Sequence, residues 1–205
     1  MRKTQKIGIV GQGFVGTAVR EGLKDYFDIE TFDIAKNSTV ESLEALCAFS
    51  DIVFVCLPTP MEKDGKCHLG IVETVLSDIN EINLASTIVV KSTIPPGTTS
   101  KWNEKYKNID IVFNPEFLTE ANSINDFKNQ NRIIIGGPKK AASKVRRIFV
   151  KAFPKVKIIK TDSTYAEMVK YITNCFLAMK VSFANEMYEI CDYLKIDYDK
   201  VIEYR

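Results

Sequence analysis

Short runs of apolar residues alternate with longer amphipathic stretches through most of this chain. In the clearest run, Asp51–Leu57, every residue after the aspartate is apolar. A strand that is apolar at every position needs cover on both faces, which is typical of parallel sheets flanked by helices. The alternation therefore predicts an α/β fold with a doubly wound, mostly parallel sheet.

Residue type and spacing predict the individual elements of this sheet. The predicted strands are Lys6–Val10, Ile29–Ile34, Asp51–Leu57, Thr87–Lys91, Ile109–Phe113, Arg132–Ile135 and Val156–Ile159. The predicted helices are Val15–Lys24, Val40–Ala48, Gly70–Ile82, Thr98–Lys105 and Lys139–Phe153. We expect residues 1–160 to form one domain and residues 161–205 to begin a second, helical one whose C-terminal part is absent.

From Ser163 the pattern changes to that of one long helix. Thr164 and Glu167 have the spacing of a capping box, with Thr164 as the N-cap and Glu167 reaching back to its amide. Apolar residues then recur every three or four positions, at Val169, Ile172, Phe176, Met179, Phe183, Met187, Ile190 and Leu194. This predicts a helix of roughly 30 residues, about 45 Å long. Because its apolar seam exceeds what a crossover needs, we expect it to pack against another chain or a further domain.

Charge and cysteine content exclude several classes of protein. The 28 lysines and arginines nearly balance the 26 aspartates and glutamates, so nucleic acid is not expected as the main partner. No run approaches the ~18 apolar residues of a membrane span. The five cysteines form no Cys-x-x-Cys pair and no cluster with the single histidine, which argues against a disulfide framework or metal site. We expect a cytoplasmic protein with free thiols.

The stretch Gly11-Gln12-Gly13-Phe14-Val15-Gly16 directly follows the first strand and opens the first helix. The first glycine allows a tight turn, the second lets backbone approach a pyrophosphate, and the third lets helix pack on strand. Asp33 comes roughly 20 residues later, where a ribose-binding carboxylate belongs, and its charge favours NAD over NADP. These features predict a Rossmann-like site for NAD, the alternative being a glycine-rich turn without a ligand.

Three further loops follow predicted strand ends. They are Leu57-Pro58-Thr59-Pro60, Lys91-Ser92-Thr93-Ile94-Pro95-Pro96-Gly97-Thr98-Thr99 and Asn114-Pro115-Glu116-Phe117-Leu118-Thr119-Glu120. Ligands of open α/β sheets bind outside the carboxyl ends of strands. The prolines of one such loop are ordinary loop punctuation, but three loops with hydroxyls and carboxylates at one sheet edge predict a binding site.

Lys170 and Asn174 lie four residues apart on the long helix and therefore share one of its faces. An asparagine within an apolar seam is costly unless it is hydrogen-bonded. Its spacing fits equally well a device that sets the register between packed helices and a contact to substrate.

Taken together, these motifs resemble the UDP-glucose/GDP-mannose dehydrogenase family, and most closely its UDP-glucose-oxidising members. The matching pieces are Gly-Gln-Gly-Phe-Val-Gly, Leu-Pro-Thr-Pro, Ser-Thr-Ile-Pro-Pro-Gly-Thr, Asn-Pro-Glu-Phe-Leu-Thr-Glu and Ala-Glu-Met-Val-Lys-Tyr-Ile-Thr-Asn, in the family's order. The resemblance implies NAD-dependent oxidation of the C6 alcohol of a nucleotide-sugar to a carboxylate. It also implies a role in nucleotide-sugar metabolism and polysaccharide biosynthesis, and a homodimer formed through the 163–195 helix.

The resemblance also implies roles for individual residues. The cofactor would be lined by Gly11, Gln12, Gly13, Phe14, Val15, Gly16, Asp33, Thr59, Pro60, Ser92, Thr93 and Glu120. The substrate would contact Glu116, Phe117, Leu118, Glu120, Lys170 and Asn174. Among these, Glu116 would act as general base or acid through a water that Thr93 helps to hold. Lys170 would stabilise oxyanion character at C6, with Asn174 as its hydrogen-bonding neighbour.

One feature of the family is missing from these 205 residues. The family's second oxidation passes through a cysteine in a glycine-rich loop followed by Pro-Lys-Asp, and no such loop occurs here. Cys175, which follows Asn174, is interpreted as a packing residue. We therefore expect this chain to bind NAD without completing the oxidation. The alternatives are a nucleotide-binding module without catalysis and another NAD(P)-dependent dehydrogenase acting on a hydroxyacid.

Overall fold

A seven-stranded sheet flanked by helices confirms the predicted α/β fold. The computed structural model describes residues 5–84 and 87–204. In chain order the elements are β1 (Lys6–Val10), α1 (Phe14–Leu23), β2 (Asp28–Phe32), α2 (Leu43–Phe49), β3 (Ile52–Val55), α3 (Gly70–Ile82), β4 (Thr87–Val90), α4 (Thr98–Lys105), β5 (Asp110–Phe113), α5 (Ser123–Lys128), β6 (Arg132–Gly136), α6 (Lys139–Ala152), β7 (Lys157–Thr161), α7 (Ser163–Tyr193) and α8 (Tyr198–Glu203).

The strands lie in the order β2-β1-β3-β4-β5-β6-β7. All neighbours from β2 to β5 are parallel, β6 runs antiparallel to β5, and β7 is parallel to β6. The chain leaves β1 for β2 on one side and returns to β3 on the other. This reversal opens a crevice beside the carboxyl end of β1, where open α/β sheets bind ligands.

Both faces of the central strands are covered, as their apolar sequences predict. Every residue of β3 and β4 is buried. One apolar cluster contains side chains of α1, α5 and α6, and a second contains side chains of α2, α3 and α4. The two clusters lie on opposite faces because alternate strand residues such as Val53 and Phe54 enter different ones.

The predicted end of the second strand is wrong by two residues. The prediction ran to Ile34, but β2 ends at Phe32 and the Ile34 side chain is exposed. The chain turns back here because the Thr39 hydroxyl accepts a hydrogen bond from the Thr31 backbone N–H, 2.7 Å away. The short helices α5 and α8 were not predicted, since six residues are too few for a clear helical period.

The long helix is confirmed, but the capping box at its start is wrong. α7 is 31 residues long and begins at Ser163, so Thr164 lies within its first turn. The backbone carbonyl of Asp162 accepts from the Ala166 N–H at 3.3 Å. The Glu167 carboxylate instead accepts hydrogen bonds from Gly97 and Thr99, because the packed fold offers it a different helix N-terminus.

The chain divides into two compact units between Lys170 and Tyr171. The second unit contains the later part of α7 and the short helix α8. The Asp197 side chain caps α8 by accepting from the backbone N–H groups of Asp199 and Lys200. Within this unit the rings of Tyr188 and Tyr198 meet edge to face. Among the described residues, no helix is both long and apolar enough to cross a bilayer.

Candidate functional site

The glycine turn between β1 and α1 is shaped by the absence of side chains. Gly11 has φ +89°, a left-handed conformation that favours glycine. A Cβ on Gly16 would lie 1.9 Å from the carbonyl oxygen of Gly11, so only glycine allows α1 to pack this closely. A Cβ on Gly13, by contrast, would meet no described atom within 4 Å. The first turn of α1 therefore faces open space.

This open space fits the pyrophosphate of a dinucleotide. Gly13 is the N-cap of α1 and has no side chain to occupy the N–H groups of the first turn. Those N–H groups and the positive end of the helix dipole favour an anion at this position. The residues present therefore suit NAD, and Phe14 and Val15 lie in the same first turn.

Asp33 lies directly after β2 and points its carboxylate at the glycine turn. Its Oδ2 accepts from the Gln12 backbone N–H at 2.6 Å, and its Oδ1 accepts from Ala35 and Lys36. Partial burial acts to raise the pKa of Asp33, but these backbone hydrogen bonds outweigh it and lower that pKa. The carboxylate is therefore charged and held beside the site predicted for a ribose.

A loop that the sequence left unassigned closes around the same turn. The Lys36 ammonium donates to the Gln12 carbonyl oxygen at 2.8 Å. The Gln12 side-chain amide donates to the Asn37 carbonyl oxygen. The Ser38 hydroxyl accepts from the Asp33 backbone N–H at 2.8 Å. The residues after β2 thus hold Asp33 and Gln12 in one fixed arrangement.

The loops after β3 and β4 are joined by their hydroxyl groups, as expected for a shared site. Thr59 Oγ1 donates to the carbonyl oxygen of Thr93 at 2.7 Å. Ser92 Oγ donates to the Leu57 carbonyl oxygen at 2.6 Å and accepts from the Leu57 N–H at 3.1 Å. Pro60 accepts from the His68 backbone N–H at 2.8 Å. The predicted residues Thr59, Ser92 and Thr93 therefore lie together at the sheet edge.

Glu116, after β5, and Lys170, on α7, form a buried ion pair. Lys170 Nζ lies 2.7 Å from Glu116 Oε1 and 2.6 Å from the Glu116 carbonyl oxygen. The side chains are only 5% and 10% exposed for Lys170 and Glu116, respectively. Glu116 Oε2 accepts from the Leu118 backbone N–H at 2.7 Å. The carboxylate is therefore held at both oxygens, and the ammonium is aimed at it.

Of the remaining predicted residues, Phe117 lies next to the ion pair. The Lys170 Nζ lies 5.6 Å from the centre of the Phe117 ring, and the Arg132 guanidinium carbon lies 5.1 Å from it. Glu120 is exposed in the turn before α5. Asn174 is exposed on α7 in the second compact unit.

Sequence reasoning missed a second buried lysine at the same edge. Lys91, the first residue after β4, is 3% exposed, and its Nζ donates to Asn114 Oδ1 at 2.8 Å. Asn114 Nδ2 donates in turn to the Ile134 carbonyl oxygen at 2.7 Å. Burial lowers the pKa of the Lys91 ammonium to about 8, against the opposing attraction of Glu116. A lysine that ends an apolar buried strand was the available signal.

Burial keeps three of the five cysteines as thiols. Cys47 and Cys56 are buried, and burial raises the pKa of their thiols to about 11 and about 12. Burial also raises the pKa of Cys67. Cys175 was interpreted as a packing residue, but it is exposed on α7, as are its neighbours Phe176 and Leu177. Among the described residues, no group of three metal-ligating side chains occurs.

Comparison with protein families gives two matches along the chain. The family model described as "UDP-glucose/GDP-mannose dehydrogenase family, NAD binding domain" matches residues 32–153. The model of the same family's central domain matches residues 164–204. The first match identifies NAD as the cofactor, which agrees with the open glycine turn and the charged Asp33 beside it.

Individual proteins are similar to the chain over most of its length. UDP-glucose 6-dehydrogenase TuaD of Bacillus subtilis is 35% identical, over 89% of this chain and 41% of the relative. An uncharacterized protein of Methanocaldococcus jannaschii is 32% identical, over 97% of this chain and 26% of the relative. The solved structure of a UDP-glucose dehydrogenase from Pyrobaculum islandicum superposes with a TM-score of 0.87 at 26% identity, covering 100% of this chain and 57% of that one. The chain thus spans less than two thirds of these relatives.

Proposed function

The chain belongs to the UDP-glucose/GDP-mannose dehydrogenase family, and we propose that it forms the NAD-binding part of an enzyme that oxidises the C6 alcohol of UDP-glucose to a carboxylate. The observation that carries this proposal is the buried pair of Lys170 and Glu116 at the same sheet edge as the glycine turn. A cation and a carboxylate held together beside a dinucleotide site suit the oxidation of an alcohol.

In the proposed reaction Lys170 stabilises negative charge on the C6 oxygen. An ammonium group has three N–H donors, and Glu116 accepts from two of them, through its carbonyl oxygen and Oε1. The third donor is left for the substrate oxygen. Because the ammonium is held in place by these two bonds, it needs no reorganisation as charge develops. Bound NAD would be held at the glycine turn and would supply the hydride acceptor for this oxidation.

Glu116 is proposed to take the proton of the C6 hydroxyl through a water that Thr93 helps to hold. Its Oε2 already accepts from the Leu118 N–H, and its Oε1 accepts from Lys170, so the carboxylate has a fixed orientation. A positioned carboxylate of this kind contributes about 10²–10⁴-fold to a proton transfer. Glu120 and Phe117 are proposed to contact substrate from the same loop, and Asn174 from α7.

The proposed domain division places residues 1–160 in the NAD-binding domain and residues 161–205 at the start of the central domain. We further propose that the chain forms a homodimer through the 163–195 helix. Apolar side chains on this helix are exposed, among them Ile172, Phe176, Met179 and Phe183, and contact with a second copy would remove them from water. Phe183→Glu should then lower the apparent mass measured by sedimentation.

We also propose that the enzyme acts in the cytoplasm, where it supplies uronic acid units for polysaccharides.

The first experiment measures NAD binding by calorimetry on the 205-residue chain. The chain should bind NAD, and Gly13→Val should abolish binding because its side chain fills the space proposed for the pyrophosphate. Unchanged affinity in the variant would remove the assignment of the glycine turn.

The second experiment measures NADH production from UDP-glucose. These 205 residues lack a glycine-rich Cys-Pro-Lys-Asp loop, so we expect no sustained four-electron oxidation. Sustained turnover by this chain alone would contradict the proposal that it binds NAD without completing the oxidation. A substrate panel that also contains a β-hydroxyacid distinguishes the proposed UDP-sugar dehydrogenase from a hydroxyacid dehydrogenase, because only the latter would oxidise the hydroxyacid.

A further inference from the structure

The first turn of α7 sits unusually close to the sheet and to α4. A Cβ on Gly136, at the end of β6, would lie 2.6 Å from the Ala166 side chain and 2.8 Å from the Ser163 backbone. The hydroxyls of Ser163 and Ser100 lie 3.1 Å apart. The start of the helix that carries Lys170 is therefore packed against β6 and α4 at the same time.

Glu167, near the start of α7, contacts the start of α4. Its side chain is fully buried, with 0% exposure. Oε2 accepts from the Gly97 backbone N–H at 2.5 Å, and Oε1 accepts from the Thr99 backbone N–H at 2.8 Å. In the described part of the chain, neither oxygen forms an ion pair with a lysine or arginine. The carboxylate is thus stabilised by backbone N–H groups at the start of α4.

The start of α4 has reason to need this partner. Its N-cap is Gly97, in a left-handed conformation and without a side chain of its own to cap the helix. The first N–H groups of a helix lack intrahelical acceptors, and the positive end of its dipole favours a carboxylate. Glu167 therefore supplies from α7, almost 70 residues away in sequence, the cap that the local sequence of α4 lacks.

Glu167 and Lys170 lie on one face of α7. Residues three apart on a helix are neighbours on one face, and Lys170 follows Glu167 by three. Glu167 attaches that face to the loop between β4 and α4, which contains Thr93, while Lys170 attaches it to Glu116 after β5. The first turns of α7 are thus attached to the sheet edge at two points.

We propose that Glu167 is a positioning residue, which holds the Lys170 ammonium against Glu116 by capping α4 from α7. The inference rests on the proposed function only for the role of Lys170 in chemistry. The position of Lys170 itself depends on the hydrogen bonds of Glu167. Without them, α7 moves away from α4 and Lys170 leaves Glu116 for solvent.

The Glu167→Gln variant removes the charge while keeping the shape of the side chain. A glutamine has one acceptor oxygen and an NH₂ group, so it can accept from Gly97 or Thr99 but sets an N–H donor against the other. A buried donor is then left without an acceptor, and the favourable interaction with the α4 dipole is lost. Glu189→Gln makes the same chemical change at an exposed position of α7 and is the matched control.

The experiment measures the labelling of lysines by ¹³C reductive methylation, followed by mass spectrometry of the 205-residue chain. Lys91 is the internal reference, since it is as deeply buried as Lys170 but contacts Asn114 rather than α7. In Glu167→Gln, the rate for Lys170 relative to Lys91 should rise about tenfold or more, because a charge-assisted hydrogen bond is worth at least about one power of ten in an opening equilibrium. Glu189→Gln should leave the ratio unchanged.

Two results would overturn the proposal. One is a Lys170 that remains as protected in Glu167→Gln as in the unaltered chain. The other is an equal rise for Lys170 and Lys91, which means that the whole sheet edge loosens. If Glu167→Gln does not fold, Glu167→Asp decides the question, since it keeps the charge but shortens the reach by one methylene. Its Lys170 ratio must then rise above that of the unaltered chain, and an unchanged ratio rejects the proposal. The labelling uses neither NAD nor UDP-glucose, so failure of the proposed function leaves its outcome interpretable.

Discussion

The cofactor end and the end proposed for the reaction, called the reaction end below, are built in opposite ways at this sheet edge. At the cofactor end, the turn after β1 has glycine at each point where a side chain would obstruct it. At the reaction end, the loops after β4 and β5 bury Lys91, Glu116 and Lys170 among neighbours of both charges. The cofactor end leaves room for a ligand by lacking side chains, whereas the reaction end contains buried charged side chains.

This difference predicts how each end fails. Removing space from the glycine turn obstructs either the backbone or the ligand, depending on which glycine is changed. Removing either Lys170 or Glu116 leaves the other charge buried without its partner, which is costly wherever water cannot reach it. The cofactor end should therefore respond mainly to changes in volume, and the reaction end to changes in charge and pH.

The largest expected effect separates two glycines of the same turn. In Gly16→Ala the new methyl would lie 1.9 Å from the Gly11 oxygen, so the free energy of unfolding should fall by about 3 kcal/mol or more. In Gly13→Ala the methyl meets no described atom, so stability should change by less than about 1 kcal/mol. NAD affinity should nevertheless fall in Gly13→Ala, because the methyl enters the space for the pyrophosphate. Urea unfolding and calorimetry measure both quantities, and equal loss of stability in the two variants would contradict the comparison.

The reaction end should show its largest effect in Lys170→Met. This change leaves the Glu116 carboxylate buried without its cation, so the free energy of unfolding should fall by about 3 kcal/mol. The double variant Lys170→Met/Glu116→Gln removes the unpaired charge and should recover part of this loss. NAD affinity should be unchanged in the single variant. If the double variant is no more stable than the single one, the buried charge is not the cause.

Lys91 should make the free energy of unfolding depend on pH at the reaction end. Its pKa is lowered from 10.5 to about 8 by burial, so between these values the unfolded chain binds more protons at this site than the folded chain. Stability from this group therefore rises with pH across that window. Relative to Lys91→Met, the free energy of unfolding should rise by about 3 kcal/mol from pH 8 to pH 10.5. Denaturation at a series of pH values measures it, and a flat difference would show that Lys91 is not desolvated.

The smallest effect is expected from Asp33→Asn. An asparagine has one acceptor oxygen and an NH₂ group, so it loses either the Gln12 bond or the Ala35 and Lys36 bonds. The free energy of unfolding should therefore fall by about 1 kcal/mol. The asparagine has no charge to attract ribose hydroxyls, so the affinity for NAD should fall about tenfold. It also has no charge to repel a 2′-phosphate, so the ratio of the affinities for NAD and NADP should become smaller. Calorimetry with both dinucleotides tests this. An unchanged ratio of the two affinities would mean that Asp33 does not contact the ribose of the dinucleotide.

Much of the fold was predictable because its signals are local. The all-apolar run of β3, the glycine turn before α1 and the three-to-four spacing of α7 each depend on neighbouring residues. The end of β2 was not predictable, because Thr39 turns the chain back through a hydrogen bond to Thr31. Short contacts of this kind leave no periodic pattern.

The candidate site was predictable as a set of residues but not as a set of contacts. The resemblance named Glu116 and Lys170, yet their pairing across 54 residues is visible only in the folded chain. Lys91 was overlooked because an ammonium at a strand end is usually exposed. Glu167 was assigned to its own helix, because the capping-box pattern is local and the competing helix N-terminus of α4 is distant in sequence.

The sequence by itself determined the type and order of the longer elements and the position of the glycine turn, and its motifs carried the family resemblance. The elements and the turn follow from backbone conformation and hydrophobic periodicity, which act over a few residues. The tertiary structure alone decided which charges are buried, what partners they have and which helix Glu167 caps. The free energy of a charge depends on its surroundings after packing, and those surroundings come from residues that are neighbours only once the sheet has formed.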